Sequence, residues 1–356
     1  MTGIPLTMKR LVVTAPGKDM ASCKIEVQDS VIVPTPTSGQ VLIKVAASAI
    51  NPSDYSAWYR CNPDQCPLVM GSEGSGTVVK VGGTLTGLLS GVKVGSKVGF
   101  VNLKDNQGSY SEYVVADAFG GVFKLLDDDM PVEDAASFFV NPFTAIAIIE
   151  SAKALGAKAF VHTAAASQLG QMIVKLAPSE NIEIINVVRR EEQAALLREI
   201  GAKHVVVTGG DNATTWKEEL KLKVKELEAT IAFDAIAGNS TGDMLDVLPN
   251  KGTVFIYGGL AGRAGNINPI DMIYNEKKIQ SFLVTSWLKA EGILSTLARI
   301  RAASKNVTAN LKEGSWASTQ FVDTTLENAH ADLIKLMTNK NGSTNQKMRV
   351  RMGNAD

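Results

Sequence analysis

The sequence predicts an α/β fold in which a β-barrel is joined to a doubly wound parallel sheet, and three features of the 356-residue chain predict it. Up to about residue 130, short β-branched segments are separated by Gly, Pro and Asn with no long helix among them. From Asn141-Pro142 onward, strand-like and helix-like segments alternate. The length exceeds one typical core, so two domains are expected: residues 1–130 with 288–356, and residues 131–287 between them.

In the first part, Gly39 to Ala46 (GQVLIKVA) alternates apolar and polar residues, and Gly76 to Val81, Ser96 to Phe100 and Gly108 to Val115 (GSYSEYVV) supply further strands. Ser53 to Tyr59 reads as one or two helical turns launched by Asn51-Pro52. At Asn141-Pro142 an N-cap asparagine and a proline at the first helical position open a helix that runs through Leu155 and is closed by Gly156. Strands are then predicted near 159–162, 183–188, 204–207, Thr230 to Ala235, Thr253 to Tyr257 and Ile279 to Ser286. Helices near 168–177, 191–200, 215–228 and 241–248 fall between the first five, the third opened by a Thr215/Glu218 capping box. Such alternation builds a parallel sheet with helices on both faces. A helix near 288–303 leads out of it. The tail from Gln320 to Met352 reads strand, helix (Leu326 to Met337), strand; too short to bury a core of its own, it is expected to return to the first domain.

Lysine plus arginine equals aspartate plus glutamate, 36 of each, so no basic field is available for nucleic acid or an anionic membrane. The longest apolar neighbourhood, Phe138 to Ile149, is broken by Asn141, Pro142 and Thr144 and falls short of the roughly 20 residues that span a bilayer. The opening MTGIPLTMKR shows neither a signal-peptide nor a transit-peptide pattern, which makes a cytoplasmic location the expectation. Cys23, Cys61 and Cys66 are too few and oddly numbered for a disulfide framework, and His162, His204 and His330 are scattered, so no metal site is expected.

Lys158 to Ala177 (KAFVHTAAASQLGQMIVKLA) carries the strongest chemical signal. A short strand, a turn of small residues and a helix with Leu169, Met172, Ile173 and Leu176 at helical spacing form the arrangement that presents backbone N–H groups to a dinucleotide pyrophosphate. Smallness comes from Ala164, Ala165, Ala166, Ser167 and Gly170; only Gly170 sits at a glycine position of the usual fingerprint, so an ordinary strand-to-helix connection is the competing reading. About 20 residues further on, Arg189 and Arg190 stand at the end of the second strand, where an NAD site would place an acidic residue. Two guanidiniums suit a 2′-phosphate, which favours NADPH over NADH; alternatively they open the solvent face of the next helix beside Glu191 and Glu192. His162 reads as a structural histidine, and Asp54 and Glu73 as turn-fixing carboxylates.

INPSDY (Ile50 to Tyr55), GSEGSGTVVKVG (Gly71 to Gly82), VGSKVGF (Val94 to Phe100), GSYSEYVV, the Asn141-Pro142 helix, the turn above, NVVRR with REIGAKHV, AFDAIAGNSTG (Ala232 to Gly242) and YGGLAG (Tyr257 to Gly262) follow one another in an order that resembles the medium-chain dehydrogenase/reductase superfamily. Within it, the chain is similar to the zinc-free quinone oxidoreductases and enoyl-thioester reductases. Zinc-dependent members have a cysteine where this chain has Asn51-Pro52, a histidine at Ser72, and a four-cysteine lobe that is missing here. The resemblance implies a GroES-like β-barrel catalytic domain built from both chain ends and a Rossmann domain between. It places Asn51, Asn141 and Thr144 near the nicotinamide, Ser167, Gln168, Leu169 and Gly170 at the pyrophosphate, and Tyr257, Gly258, Gly259, Leu260, Phe282 and Val284 along the nucleotide. It also implies a homodimer through the sixth Rossmann strand, Ile279 to Ser286.

Without zinc, hydride transfer needs an acceptor that is already electron-poor, such as a quinone, an α,β-unsaturated carbonyl or an enoyl thioester. The enoyl-thioester reductases place a tyrosine donor where this chain has Asn62; Tyr55 and Tyr59 lie nearby as substitutes, or else pack at the barrel rim. The expectation is an NADPH-dependent quinone or enone reductase acting on a small electrophile, with catalytic candidates Tyr55, Tyr59 and Asn51. The alternatives are an enoyl-thioester reductase and a non-catalytic NADPH-binding regulator.

Overall fold

The computed structural model describes residues 3–102, 108–125, 129–289, 292–338 and 346–353. Its first elements are β1 (Thr7–Ala15), β2 (Lys24–Ile32), β3 (Gln40–Ala49), α1 (Pro52–Arg60), β4 (Leu68–Val69), β5 (Glu73–Val81), α2 (Thr84–Ser90), β6 (Lys97–Val101), β7 (Tyr113–Asp117) and β8 (Val122–Lys124). Then follow α3 (Val140–Ala154), β9 (Ala159–His162), α4 (Gln168–Leu176), β10 (Glu183–Val188), α5 (Glu191–Glu199), β11 (His204–Val207), α6 (Trp216–Glu226), β12 (Ile231–Asp234), α7 (Asn239–Val247) and β13 (Thr253–Ile256). The last are α8 (Pro269–Ile273), β14 (Lys278–Ser281), α9 (Val284–Lys289), α10 (Ile293–Ala309), β15 (Phe321–Thr324), α11 (Ala329–Thr338) and β16 (Lys347–Arg351). Two compact units emerge, residues 1–140 with 300–356 and residues 141–299, divided at 140 and 299 where the sequence reading set the divisions at 130 and 287.

The first unit is built on β3. Its alternation sends Val41, Ile43 and Val45 into one apolar cluster with Val78, Val98, Phe100 and Val114, and Leu42 into another with Met8, Tyr113 and Val115. On one side β3 pairs with β5; on the other, β7 pairs with its first half and β16 with its second half, all antiparallel. This hand-over curves the sheet, whose order is β15-β16-β3-β5-β6-β8, while β2-β1-β4 form a smaller sheet. Because Arg349 of β16 lies opposite Ala49, the chain's last strand is brought beside the β3–α1 junction.

The second unit is a parallel sheet ordered β11-β10-β9-β12-β13-β14, with the order reversing between β9 and β12. Register puts Ala159, Val161, Ile185, Val187, Val206, Ala232 and Val254 on one buried face. The other face carries aromatic rings: Phe160 and Phe233 meet edge to face at 5.3 Å, Phe255 stacks on Phe233 at 5.2 Å, and Phe282 meets Phe233 edge-on at 5.4 Å. Both faces are covered, as a parallel sheet requires.

Several sequence expectations are corrected. The sixth strand ends at Ser281 and residues 284–289 are helical, because β14 is an edge strand with no second neighbour to prolong it and a short apolar run suits either conformation. The helix expected near 288–303 is therefore two helices, α9 and α10. The Thr215/Glu218 capping box is absent: the Thr215 hydroxyl donates to the Asn212 carbonyl at 3.5 Å, and Glu218 pairs with Lys221 at 3.2 Å. The helix α3 starts at Val140 rather than after Asn141, because the Glu73 carboxylate accepts from the Phe139 and Val140 N–H groups, each at 2.9 Å. Strands β1 and β2 and helix α2 extend the pattern read from the sequence. Among the described residues no helix is long and apolar enough to cross a membrane.

Candidate functional site

In the second unit the turn after β9 forms a cradle. Ala164 adopts a left-handed conformation (φ 51°), which a small side chain tolerates better than a β-branched one. Ser167 caps α4, its Oγ accepting from the Gly170 N–H at 3.2 Å. A Cβ on Gly170 would stand 2.1 Å from the Ala165 carbonyl oxygen, so only glycine lets the helix approach the turn this closely. Position 170 thus does what the last glycine of a dinucleotide fingerprint does, although the earlier glycines are replaced.

This cradle is tied to the loop after β12 through Asp234. Its Oδ1 accepts from Thr163 Oγ1 at 2.8 Å, the Ile236 N–H at 3.0 Å and Ser240 Oγ at 3.0 Å, and its Oδ2 accepts from Thr241 Oγ1 at 2.8 Å. Thr163 Oγ1 in turn accepts from the Ala235 N–H at 2.9 Å. A fully satisfied buried carboxylate fixes both loops at the point where the strand order reverses, the place where doubly wound sheets hold ligands.

Arg189 is exposed and Arg190 half-buried, at the end of β10. Their backbone N–H groups both donate to Gln193 Oε1 at 3.1 Å, which fixes the corner. Arg190 makes one long ion pair, 3.8 Å, to a Glu192 that is 83% exposed; such a pair contributes little. Arg189 has no ion-pair partner among the described residues, so its charge is available to an anion. The donor set therefore fits a phosphate beside the ribose position.

The residues expected along the nucleotide are distributed as follows. Tyr257, Gly258, Gly259 and Leu260 follow β13 directly, with the Tyr257 N–H bonded to the Asp234 carbonyl at 3.0 Å and that of Leu260 to the Ala235 carbonyl at 3.3 Å. Phe282 packs its ring on Phe233, and Val284 is the first residue of α9. Asn141 and Thr144 lie in the first turns of α3, Thr144 buried. His162 is buried, its Nε2 2.7 Å from the Tyr257 hydroxyl and its ring parallel to the tyrosine ring at 5.8 Å. Burial pushes the imidazole down to about 3, so it is neutral at physiological pH.

In the first unit Asn51 is held in a buried polar cluster that sequence reasoning missed. Lys347 Nζ donates to Asn51 Oδ1 at 2.7 Å and to Ser137 Oγ at 2.7 Å, and lies 3.3 Å from Glu73 Oε1. Asn51 Nδ2 donates to the same Glu73 oxygen at 2.9 Å. The orientation of the amide follows from its neighbours, since an ammonium can only donate and a carboxylate only accept. Asn51, Glu73, Ser137 and Lys347 are all buried. Burial pulls the Lys347 ammonium below its ordinary range, with Glu73 opposing the shift. Asp54 accepts from the Asn51 N–H at 2.8 Å and from the Tyr110 hydroxyl at 3.1 Å, and burial raises its carboxyl.

Tyr55 and Tyr59, both on α1, pack against the cluster around Trp58 and Tyr110, Tyr55 meeting Trp58 edge to face at 6.4 Å. Burial, followed by the neighbouring Tyr59, pushes the Tyr55 phenol up to about 12, so it stays protonated. Asn62 precedes a single 3₁₀ turn, its N–H bonded to Gln65 Oε1 at 2.9 Å. Cys23, Cys61 and Cys66 pack as free thiols on that same apolar cluster.

Comparison with known proteins gives a consistent set of likenesses. A family model described as "Alcohol dehydrogenase GroES-like domain" matches residues 37–127, and one described as "Zinc-binding dehydrogenase" matches residues 169–299. The mitochondrial enoyl-[acyl-carrier-protein] reductase of Xenopus tropicalis is 31% identical over 263 residues, covering 71% of this chain and 71% of that protein. A solved structure from Mesorhizobium loti, titled as a candidate NADPH:quinone reductase, is 30% identical with a TM-score of 0.80, covering 99% of this chain and 100% of that one. Escherichia coli quinone oxidoreductase complexed with NADPH shares the fold at 18% identity, with a TM-score of 0.78 over 97% of this chain and 100% of that one.

Proposed function

The chain belongs to the medium-chain dehydrogenase/reductase superfamily, in its zinc-free branch, and on that footing we propose that it is an NADPH-dependent reductase of quinones or α,β-unsaturated carbonyls. The observation that carries the reading is the uncommitted guanidinium of Arg189 beside Arg190, at the strand end where an adenosine ribose is expected, within the same unit as the α4 cradle. NADPH, when bound, supplies the hydride. Ser167, Gln168, Leu169 and Gly170 hold the pyrophosphate, Arg189 and Arg190 the 2′-phosphate, and Tyr257 to Leu260 with Phe282 and Val284 the rest of the nucleotide.

The acceptor must be electron-poor because the residues replacing zinc ligands are poor activators. Asn51, at the cysteine position, is bound to Lys347 and Glu73 and keeps one amide N–H for a ligand oxygen. Asn51, Asn141 and Thr144 serve the nicotinamide end, and the hydroxyl of Tyr55 or Tyr59 is a candidate to hydrogen-bond the oxygen on which charge develops. The 31% likeness to an enoyl-[acyl-carrier-protein] reductase supports a second reading, reduction of an enoyl thioester. A homodimer is part of the proposal: β14 is an exposed edge strand, and Ile270, Ile273, Tyr274 and Leu283 beside it are half-exposed or more.

The test is NADPH consumption, followed by loss of nicotinamide absorbance, with 1,4-benzoquinone, 9,10-phenanthrenequinone, an alkenal, a cyclic enone and a crotonyl thioester. Turnover of quinones or enones is expected. Turnover chiefly of the thioester promotes the second reading, and tight NADPH binding with no turnover makes the protein a nucleotide-binding regulator.

A further inference from the structure

His162 and Tyr257 form a pair that the cofactor reading leaves unexplained. His162 ends β9 and Tyr257 follows β13, two strands away across β12, and both project from the aromatic face of the sheet at its C-terminal edge. The rings are parallel and the Nε2–Oη contact is 2.7 Å. A histidine core residue could be any apolar residue if packing were its only task, because an imidazole costs free energy to bury.

The position of the proton follows from the surroundings. His162 Nδ1 is buried without a partner, and so is Oδ1 of Asn186, the residue in register with His162 on β10. An N–H on Nδ1 would be an orphaned buried donor, since Nδ1 makes no hydrogen bond even to the unused Asn186 oxygen on the neighbouring strand, whereas a bare ring nitrogen left without a donor costs less. The imidazole is therefore protonated on Nε2 and donates to the Tyr257 oxygen. That leaves the tyrosine O–H proton with no acceptor among the described residues. His162 is fully buried whereas Tyr257 as a residue is half-buried, so the tyrosine is the member of the pair that a ligand can approach.

We propose that the Tyr257 hydroxyl, oriented by His162, donates a hydrogen bond to a carbonyl oxygen at the C-terminal edge of the parallel sheet, either that of the nicotinamide carboxamide or that of the acceptor. The inference rests on the NADPH reading of this unit. Tyr257 is the contacting residue and His162 a positioning residue. No proton is transferred: burial raises the phenol, so the group acts as a neutral donor.

Calorimetric titration of wild type, Tyr257→Phe, His162→Gln and His162→Leu with NADPH and with 2′-phospho-ADP-ribose, which lacks the nicotinamide, separates the cases. If the carboxamide is the partner, Tyr257→Phe weakens NADPH about tenfold and leaves the fragment unchanged. If the acceptor is the partner, NADPH affinity holds and single-turnover hydride transfer slows about tenfold. In either case His162→Gln, whose amide N–H can replace Nε2–H, stays near wild type, while His162→Leu follows Tyr257→Phe. Equal weakening of NADPH and the fragment, or no change in binding and transfer, overturns the proposal. Two-bond ¹H–¹⁵N spectra of the wild type provide a readout independent of activity and of variant folding: an Nε2–H tautomer is expected, and Nδ1–H overturns the proposal. Should the wild type turn over no acceptor, the reductase reading fails on its own, and an unchanged NADPH affinity in Tyr257→Phe then overturns this one.

Discussion

Lys347 holds more of the candidate site than its place in a charged, alternating strand suggests. Breaking a buried ion pair from one side leaves a desolvated charge, so Lys347→Met is predicted to destabilise the protein by about 3–5 kcal/mol, read from the urea midpoint. Removing both charges in Lys347→Met/Glu73→Gln should recover most of that loss. At the nucleotide end, Arg189→Ala/Arg190→Ala should raise the Kd for NADPH more than tenfold while leaving NADH nearly unchanged; equal losses for both cofactors refute the 2′-phosphate assignment. His162 makes stability depend on pH. Its folded value of about 3 lies below the ordinary 6.5, so below pH 6.5 the unfolded chain binds the extra proton first. Its contribution is complete above that pH and is lost as pH falls toward about 3, at about 1.4 kcal/mol per pH unit. Urea midpoints at pH 7 and pH 5 should differ more for wild type than for His162→Gln.

The strand–turn–helix from β9 to α4 works because one glycine permits close packing and one serine closes the helix end. Gly170→Ala puts a methyl 2.1 Å from a backbone oxygen with no flexible atom to yield. Overpacking of this kind costs about 1–3 kcal/mol, and the variant should lose several degrees of Tm and also bind NADPH more weakly. This element was legible in the sequence, since a strand, small residues and a helical apolar stripe are local signals. The start of α3 was not: Asn141-Pro142 reads as an N-terminus, yet Glu73, far away in the chain, takes the N–H groups of Phe139 and Val140 and moves the helix start to Val140.

For the whole molecule, the exposed edge at β14 and the apolar side chains beside it argue for a second copy of the chain. Sedimentation equilibrium is expected to find a dimer, and Ile273→Asp/Tyr274→Asp should shift it to monomer without changing NADPH affinity; a monomeric wild type refutes the interface. The expected strand Ile279 to Ser286 was too long, because a sequence run does not reveal on which side it has a neighbour. The architecture of each unit was predictable: alternation of period two in the first and strand–helix alternation in the second are repeated often enough to dominate local exceptions.

By itself the sequence determined the α/β class, the six strands of the parallel sheet, and the strand–turn–helix with Gly170 at its tight approach, because each is a pattern within about twenty residues. Tertiary structure alone decided which polar residues meet. Lys347, Ser137, Glu73 and Asn51 come together from β16, the segment before α3, β5 and the β3–α1 junction, and His162 meets Tyr257 across an intervening strand. A buried polar group must find a partner, and which partner it finds is set by sheet order and register, properties of the folded chain that no local spacing encodes.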